Sequence, residues 1–227
     1  MNARAKLFAA VACAAMVIGG CAGGAARGRA PSDAGVAAYR AGDFETAWTE
    51  LKPLSERGVF RAQRYVAFML MSGRAPAPCD GALCVEEAKA LLIDSAGRGD
   101  TNSLIALEAM RASGEAFAPS DADMDALDRV RAAGGDPMSA WRLEDRGVEP
   151  VDAAERIAWL RTAAAGDPRI HRNAPTAAFR LCTLYAAGEG VEADRRSARK
   201  WCKRAAKAGH TGAYLALTQL DGRGADE

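Results

Sequence analysis

A recurring corner limits this chain's fold more than any other feature. Gly58, Gly99, Gly135, Gly166 and Gly209 each close a helix-like stretch, at spacings of 41, 36, 31 and 43 residues. Self-similarity at roughly 38 residues is the mark of a repeat architecture, in which each unit buries its apolar face only by stacking on its neighbours. Three of the corners run on into Asp100, Asp136 and Asp167. At such a corner Gly takes the left-handed conformation that ends one helix, and Asp accepts backbone N–H groups at the start of the next. Upstream, Trp159 and Trp201 each stand four residues before an Ala pair, Ala163-Ala164 and Ala205-Ala206, and Leu91 stands likewise before Ser95-Ala96. Small residues there let neighbouring helices approach closely.

Apolar residues recur at i, i+3 and i+4 over 85–98, 122–133, 153–165 and 195–208, which predicts helices in those ranges. Extended to their neighbours, they give roughly ten or eleven short helices, none stable alone. The predicted fold class is therefore all-α, a solenoid of stacked antiparallel helical hairpins. Composition agrees: 6% aromatic residues, 23 Gly and abundant Ala suit close helix packing better than a sheet sandwich. A net charge of +1 lacks the basic excess of a nucleic-acid-binding protein, and no nucleic-acid partner is expected.

Residues 1–20 have the parts of an export signal: a basic start at Arg4 and Lys6, an apolar run from Leu7 to Ile18, and small residues before a cleavage point. The run's 12 residues fall short of the roughly 20 that a membrane-spanning helix needs. Ile18-Gly19-Gly20-Cys21 resembles the bacterial lipoprotein box. That resemblance implies a lipid anchor on Cys21 and, with Ala22 rather than Asp following, the periplasmic face of the outer membrane. An ordinary secretory signal with an incidental Cys21 is the alternative. Cleavage would remove Arg4, Lys6 and Cys13, leaving 28 basic residues against 29 acidic ones. Residues 21–35, rich in Gly and Ala, read as a flexible tether reaching on the order of 20 Å. The repeat domain would occupy 36–227.

Within that domain, Ala177, Leu181, Tyr185, Gly188, Gly190, Val191, Asp194, Ala198, Trp201, Ala205, Ala206, Gly209 and Ala213 fall in a pattern that resembles the Sel-one-like repeats (SLR), relatives of the tetratricopeptide repeat. Cys182 stands where that pattern has Gly. Gly42-Asp43-Phe44, Ala47, Leu51, Pro53-Leu54, Gly58 and Ala62-Gln63 resemble an opening repeat. Between about 76 and 148 the pattern is degenerate, with loops expected at 74–83 and 115–120. The resemblance implies a non-catalytic scaffold or adaptor with an unidentified envelope protein as partner, as in relatives that organise polysaccharide export or restrain sensor kinases. An anionic polysaccharide of the envelope or cell wall is the alternative ligand.

Catalytic motifs are sparse. Ser197 and Lys200 match the Ser-x-x-Lys of β-lactam-recognising serine hydrolases, a second alternative, but neither Ser-Asp-Asn nor Lys-Thr-Gly accompanies them. His171 and His210 are the only histidines and stand in no metal-binding spacing. No catalytic, cofactor-binding or metal-ligating residues are assigned. Beyond Cys21, four cysteines in an oxidising compartment allow three pairings. The resemblance puts Cys182 and Cys202 on the two inward faces of its best-matched hairpin. This favours Cys182 with Cys202 and Cys79 with Cys84.

Charge is unevenly placed. Ten acidic and four basic residues lie between Asp121 and Glu155, whereas Arg195 to Lys207 holds seven basic residues and no acidic one. Arg196, Arg199, Lys200 and Lys203 would line one helix face, either as a partner-binding stripe or as a merely solvated one.

Overall fold

The computed structural model describes residues 30–76, 81–114 and 117–222. The signal, Cys21, most of the tether and Cys79 lie outside the described residues. The compact unit Pro31–Glu227 contains every described helix. In order they are α1 (Asp33–Ala41), α2 (Phe44–Glu56), α3 (Phe60–Met71), α4 (Gly81–Gly97), α5 (Thr101–Ser113), α6 (Asp121–Ala133), α7 (Pro137–Asp145), α8 (Ala153–Ala165), α9 (Ala174–Ala187), α10 (Arg195–Lys207) and α11 (Thr211–Gly222). The described residues contain no strand, and no helix among them is long and apolar enough to cross a membrane.

Each helix packs against the next in the chain, which is the predicted stack, with one exception: α6 leans on α4 and α7 instead of α5. The helices continue regularly through the degenerate stretch, so the departure there is one displaced hairpin. It divides the core. Val36 to Leu107 and Met110, with Met124 and Leu127 from the front of α6, form one apolar cluster. Ala132, at the back of α6, belongs to a second that runs to Ala213 in α11. Between these contributions lies Asp128, 0% exposed. It takes Arg142 on α7 with both oxygens and Arg146 on Oδ2 at 2.9 Å, while Arg142 also lies 3.6 Å from Glu108 on α5. A buried carboxylate is tolerable only when its charge and lone pairs are met. Here the groups that meet them tie three helices together at the division.

Gly99 and Gly135 have φ of +99° and +92°, the left-handed corner expected of them. Gly166 does not: its φ is −57°. A Cβ on Gly166 would sit 2.8 Å from the His171 ring, so this glycine is fixed by close approach. Asp100 also departs from the expected role. It makes no side-chain cap on α5; it is buried, and receives Ser103 Oγ at 2.8 Å and Arg64 Nη1 at 2.6 Å. Asp136 performs both tasks, accepting from Met138 N at 3.1 Å as a cap and from Ser139 Oγ at 3.0 Å.

The acidic run is not a free surface. Asp121, Asp125, Asp128, Asp136, Glu144 and Glu155 are paired with arginines, several from outside the run. Burial works to raise the Asp136 carboxyl, but hydrogen bonds from Arg131 and Ser139 and the charge of Arg131 outweigh it and hold the group below its ordinary 3.8. Glu155 is likewise held below 4.5: desolvation raises it, and Arg129 together with the Val151 N–H lowers it further. A carboxyl depressed in the folded state contributes stability above its unfolded pKa and loses it as pH falls through the folded value. The melting temperature should therefore hold steady down to about pH 4.5 and then drop, and Asp136→Ala should flatten that drop in a pH series of thermal melts. An equally steep decline in the variant would remove Asp136 from the cause.

Candidate functional site

Among the described helices, α10 is the most strongly two-sided. Ala198, Cys202, Ala205 and Ala206 are buried, and the opposite side carries its cations. Three devices hold it. Asp194 caps its start, accepting from Arg196 N at 2.9 Å, and hydrogen bonds from Ser197, side chain first and then backbone, hold that carboxyl below its ordinary range. Cys202 is bonded to Cys182 on α9, with the two Cα atoms 5.1 Å apart. Near its end, Arg204 places Nε and Nη2 at 2.9 and 2.7 Å from the Ala164 carbonyl, an acceptor otherwise left open at the end of α8.

With α10 so fixed, Arg195, Arg196, Arg199, Lys200, Lys203 and Asp221 line an open trough of about 1120 Å³ between α10 and α11. All four sequence-predicted partner residues lie there together. Arg199 Nη2 is 3.1 Å from Asp221, and Arg195 donates to the Leu220 carbonyl. Arg196, Lys200 and Lys203 have no carboxylate within 4.0 Å among the described residues. The contrast with the acidic run is one of pairing: there most carboxylates meet an arginine or cap a helix, whereas here, among the described residues, Lys203 meets no carboxylate, Lys200 lies over the Trp201 ring, and Arg196 acts on the capping Asp194 only through its charge.

The other sequence candidates are dispersed. The Ser197 hydroxyl serves the Asp194 cap, and Lys200 Nζ lies 5.8 Å above the Trp201 ring, so the Ser-x-x-Lys pair is occupied by capping and packing. His210 stacks on Phe179 with centroids 4.3 Å apart, and His171 packs against Gly166. No group of three metal-ligating side chains occurs among the described residues. Cys84 is buried and disulfide-bonded, while its expected partner Cys79 lies outside the described residues.

In the hairpin α9–α10, Ala177, Leu181, Tyr185, Ala198, Ala205 and Ala206 are buried, and Cys182 fills the family's glycine position. Residues 175–210 match the Sel1 repeat family model. The chain carries a Sel1 repeat. Such repeats generally mediate protein–protein interaction, typically as non-catalytic scaffolds. Among solved structures, the chain is similar to a Sel1 repeat protein from Oxalobacter formigenes, at 27% identity over 78% of this chain and 49% of that one, with a TM-score of 0.45. It is also similar to c5321, a protective antigen present in uropathogenic Escherichia coli strains that displays an SLR fold, at 19% identity over 83% and 48%, with a TM-score of 0.33. The chain thus spans about half the length of both. No curated protein matches it.

What sequence reasoning missed is the buried polar layer: Asp100 with Ser103, Asp136 with Ser139, and Asp128 with its arginines. A signal for the first two was present, because each corner Asp is followed three residues later by Ser.

Proposed function

We propose that this chain is a non-catalytic adaptor of the cell envelope, exported, lipidated at Cys21 and held on the periplasmic face of the outer membrane, where its helical stack binds another envelope protein. The observation that carries the binding half is the set of cations, Arg196, Lys200 and Lys203, without a carboxylate within 4.0 Å among the described residues, on a helix pinned by a cap, a disulfide and a carbonyl contact. A rigid face loses little conformational freedom on binding. The export half rests on the register of basic start, apolar run and Cys21. Acyl chains contribute about 0.8 kcal/mol per buried CH₂, so several together anchor a protein durably.

The test has two arms. Cys21→Ser should be exported yet take up no radiolabelled fatty acid, because the signal survives without the acyl acceptor; equal labelling of the variant would remove the lipoprotein reading. Chemical cross-linking in intact cells, followed by mass spectrometry, should recover a specific envelope protein with the wild-type chain. Recovery of cell-wall or polysaccharide fragments instead, with no protein, would replace the adaptor by a glycan-binding role.

A further inference from the structure

α11 has unused capacity for packing. It is 12 residues long and buries only Ala213, whereas α9 buries seven residues in 14. From Thr211 to Leu220 it carries no charge, and Tyr214 and Leu215 are 56% and 69% exposed. Among the described helices its main packing partner is α10. Tyr214 donates from its hydroxyl to the Ala206 carbonyl at 2.9 Å, so the aromatic ring is held along the α10 side of the helix.

The chain's own repeat shows what the facing surface of α10 has become. Aligning Trp159 with Trp201 sets Ala153, Ala154, Ile157 and Arg161 of α8 on Arg195, Arg196, Arg199 and Lys203 of α10. Ile157 is buried inside the stack, and Arg199 is in the open trough. Of these four positions α8 buries only Ile157, and there α10 has Arg199. Elsewhere this fold receives carboxylates on arginines across helix contacts, as Arg142 does Asp128 and Arg129 does Glu155. In the trough, Asp221 on Arg199 already shows the same pairing at small scale.

We infer that the trough between α10 and α11 receives an acidic amphipathic helix of a partner protein. This rests on the adaptor reading and names the chemistry of the partner. The acidic flank of the incoming helix meets Arg196, Lys200 and Lys203 in the trough, and its apolar flank covers Tyr214 and Leu215, which do not line the trough but stand exposed on α11, the helix that contributes Asp221 to it. A polysaccharide would use the cations and leave the apolar flank exposed.

The experiment uses the full chain in non-ionic detergent and a synthetic peptide of about five helical turns, with a leucine stripe at i, i+4 and i+7 flanked by glutamates. Isothermal titration should give a Kd on the order of 10 μM, weakening several-fold as salt rises beyond about 0.15 M. A scrambled peptide of identical composition should bind at least about tenfold more weakly, because only the helix presents charge and leucine on separate flanks. The triple variant Arg196→Gln, Lys200→Gln, Lys203→Gln should lose about tenfold or more, and Leu215→Gln should lose several-fold, both with unchanged helical circular dichroism. Equal binding of the scrambled peptide would overturn the inference, as would binding of phosphatidylglycerol vesicles or oligogalacturonate by the detergent-free Cys21→Ser chain, which lacks the acyl acceptor, if that binding is lost in the triple variant. Failures separate cleanly. If the envelope protein cross-linked by the wild type is also cross-linked by the triple variant, the trough is not its seat and the adaptor reading stands. If no envelope protein is cross-linked at all, the adaptor reading itself falls.

Discussion

Asp128→Ala is expected to destabilise the fold by about 3 kcal/mol and to split its unfolding into two transitions. Removing one partner of a buried ion pair costs about 3–5 kcal/mol, because the charge left behind has lost its compensation. The lower end applies here: Arg142 and Arg146 keep 23% and 34% of their side-chain surface exposed, so water recovers part of their solvation. The site makes the effect more than a number. Asp128 stands where α6 passes from one apolar cluster to the other, and its arginines come from α7 and from the residue that ends it, Arg146, with Glu108 reaching Arg142 from α5. In a stack whose stability is a sum of unit and interface terms, weakening one interface lets the two sides melt separately. Urea unfolding followed by circular dichroism, with hydrogen exchange by segment, would read this. One transition displaced as a whole would mean that the apolar contacts of Met124 and Leu127 couple the halves without the carboxylate. Asp128→Asn should fall between wild type and alanine, since the amide keeps an acceptor for Arg142 and gives up the charge.

Most of the architecture was legible because the repeat announces itself at its corners, where few residues are sterically allowed. The failures have local causes. Gly135-Asp136-Pro137 and Gly166-Asp167-Pro168 are the same tripeptide, yet the first opens α7 directly and the second opens a turn. The difference lies downstream. A helix begun at Pro168 would carry Pro175 in its interior, at a cost of about 3 kcal/mol. Starting at Ala174 instead puts Pro175 in the first turn, where its missing N–H is harmless. α2 shows that a proline can be carried inside a helix, at Pro53, but a loop that can absorb the chain is the easier solution between α8 and α9. The Asp128 network was not legible for another reason: it depends on which helix α6 leans on, and a local pattern does not state that. Counting charges along 121–155 therefore gives the acidic excess but not the arginines, Arg111 and Arg156 among them, that reach into the run from outside it. The basic stripe was read more accurately, because its residues lie on a single helix and their shared face follows from helical geometry alone.

The disulfide between α9 and α10 should carry the second large effect. Cys182 and Cys202 are separated by 20 residues, and closing a loop of that size stabilises by about 3 kcal/mol in the chain-entropy account. The double variant Cys182→Ala, Cys202→Ala should melt on the order of 10 °C lower, given about 2–4 °C per kcal/mol for a domain of this size. Reduction alone is the weaker test, because Cys84 is also disulfide-bonded and would be reduced too. Peptide mapping without reductant should return Cys182 cross-linked to Cys202 from the wild type, beside the separate cross-link of Cys84, and two free thiols at Cys182 and Cys202 would overturn the pairing. The loss should also be local. Cys202 shares the buried side of α10 with Ala198, Ala205 and Ala206, small residues that give little apolar area each, so the covalent link replaces contact that larger side chains would supply. Hydrogen exchange should accelerate through α9, α10 and α11 and stay unchanged in α1 to α4, whose cluster is separate. Affinity for the acidic helical peptide should fall with it, because a trough whose wall moves must be ordered again on binding. Accelerated exchange with undiminished affinity would show that the cations work as a loose charge cluster and need no fixed trough.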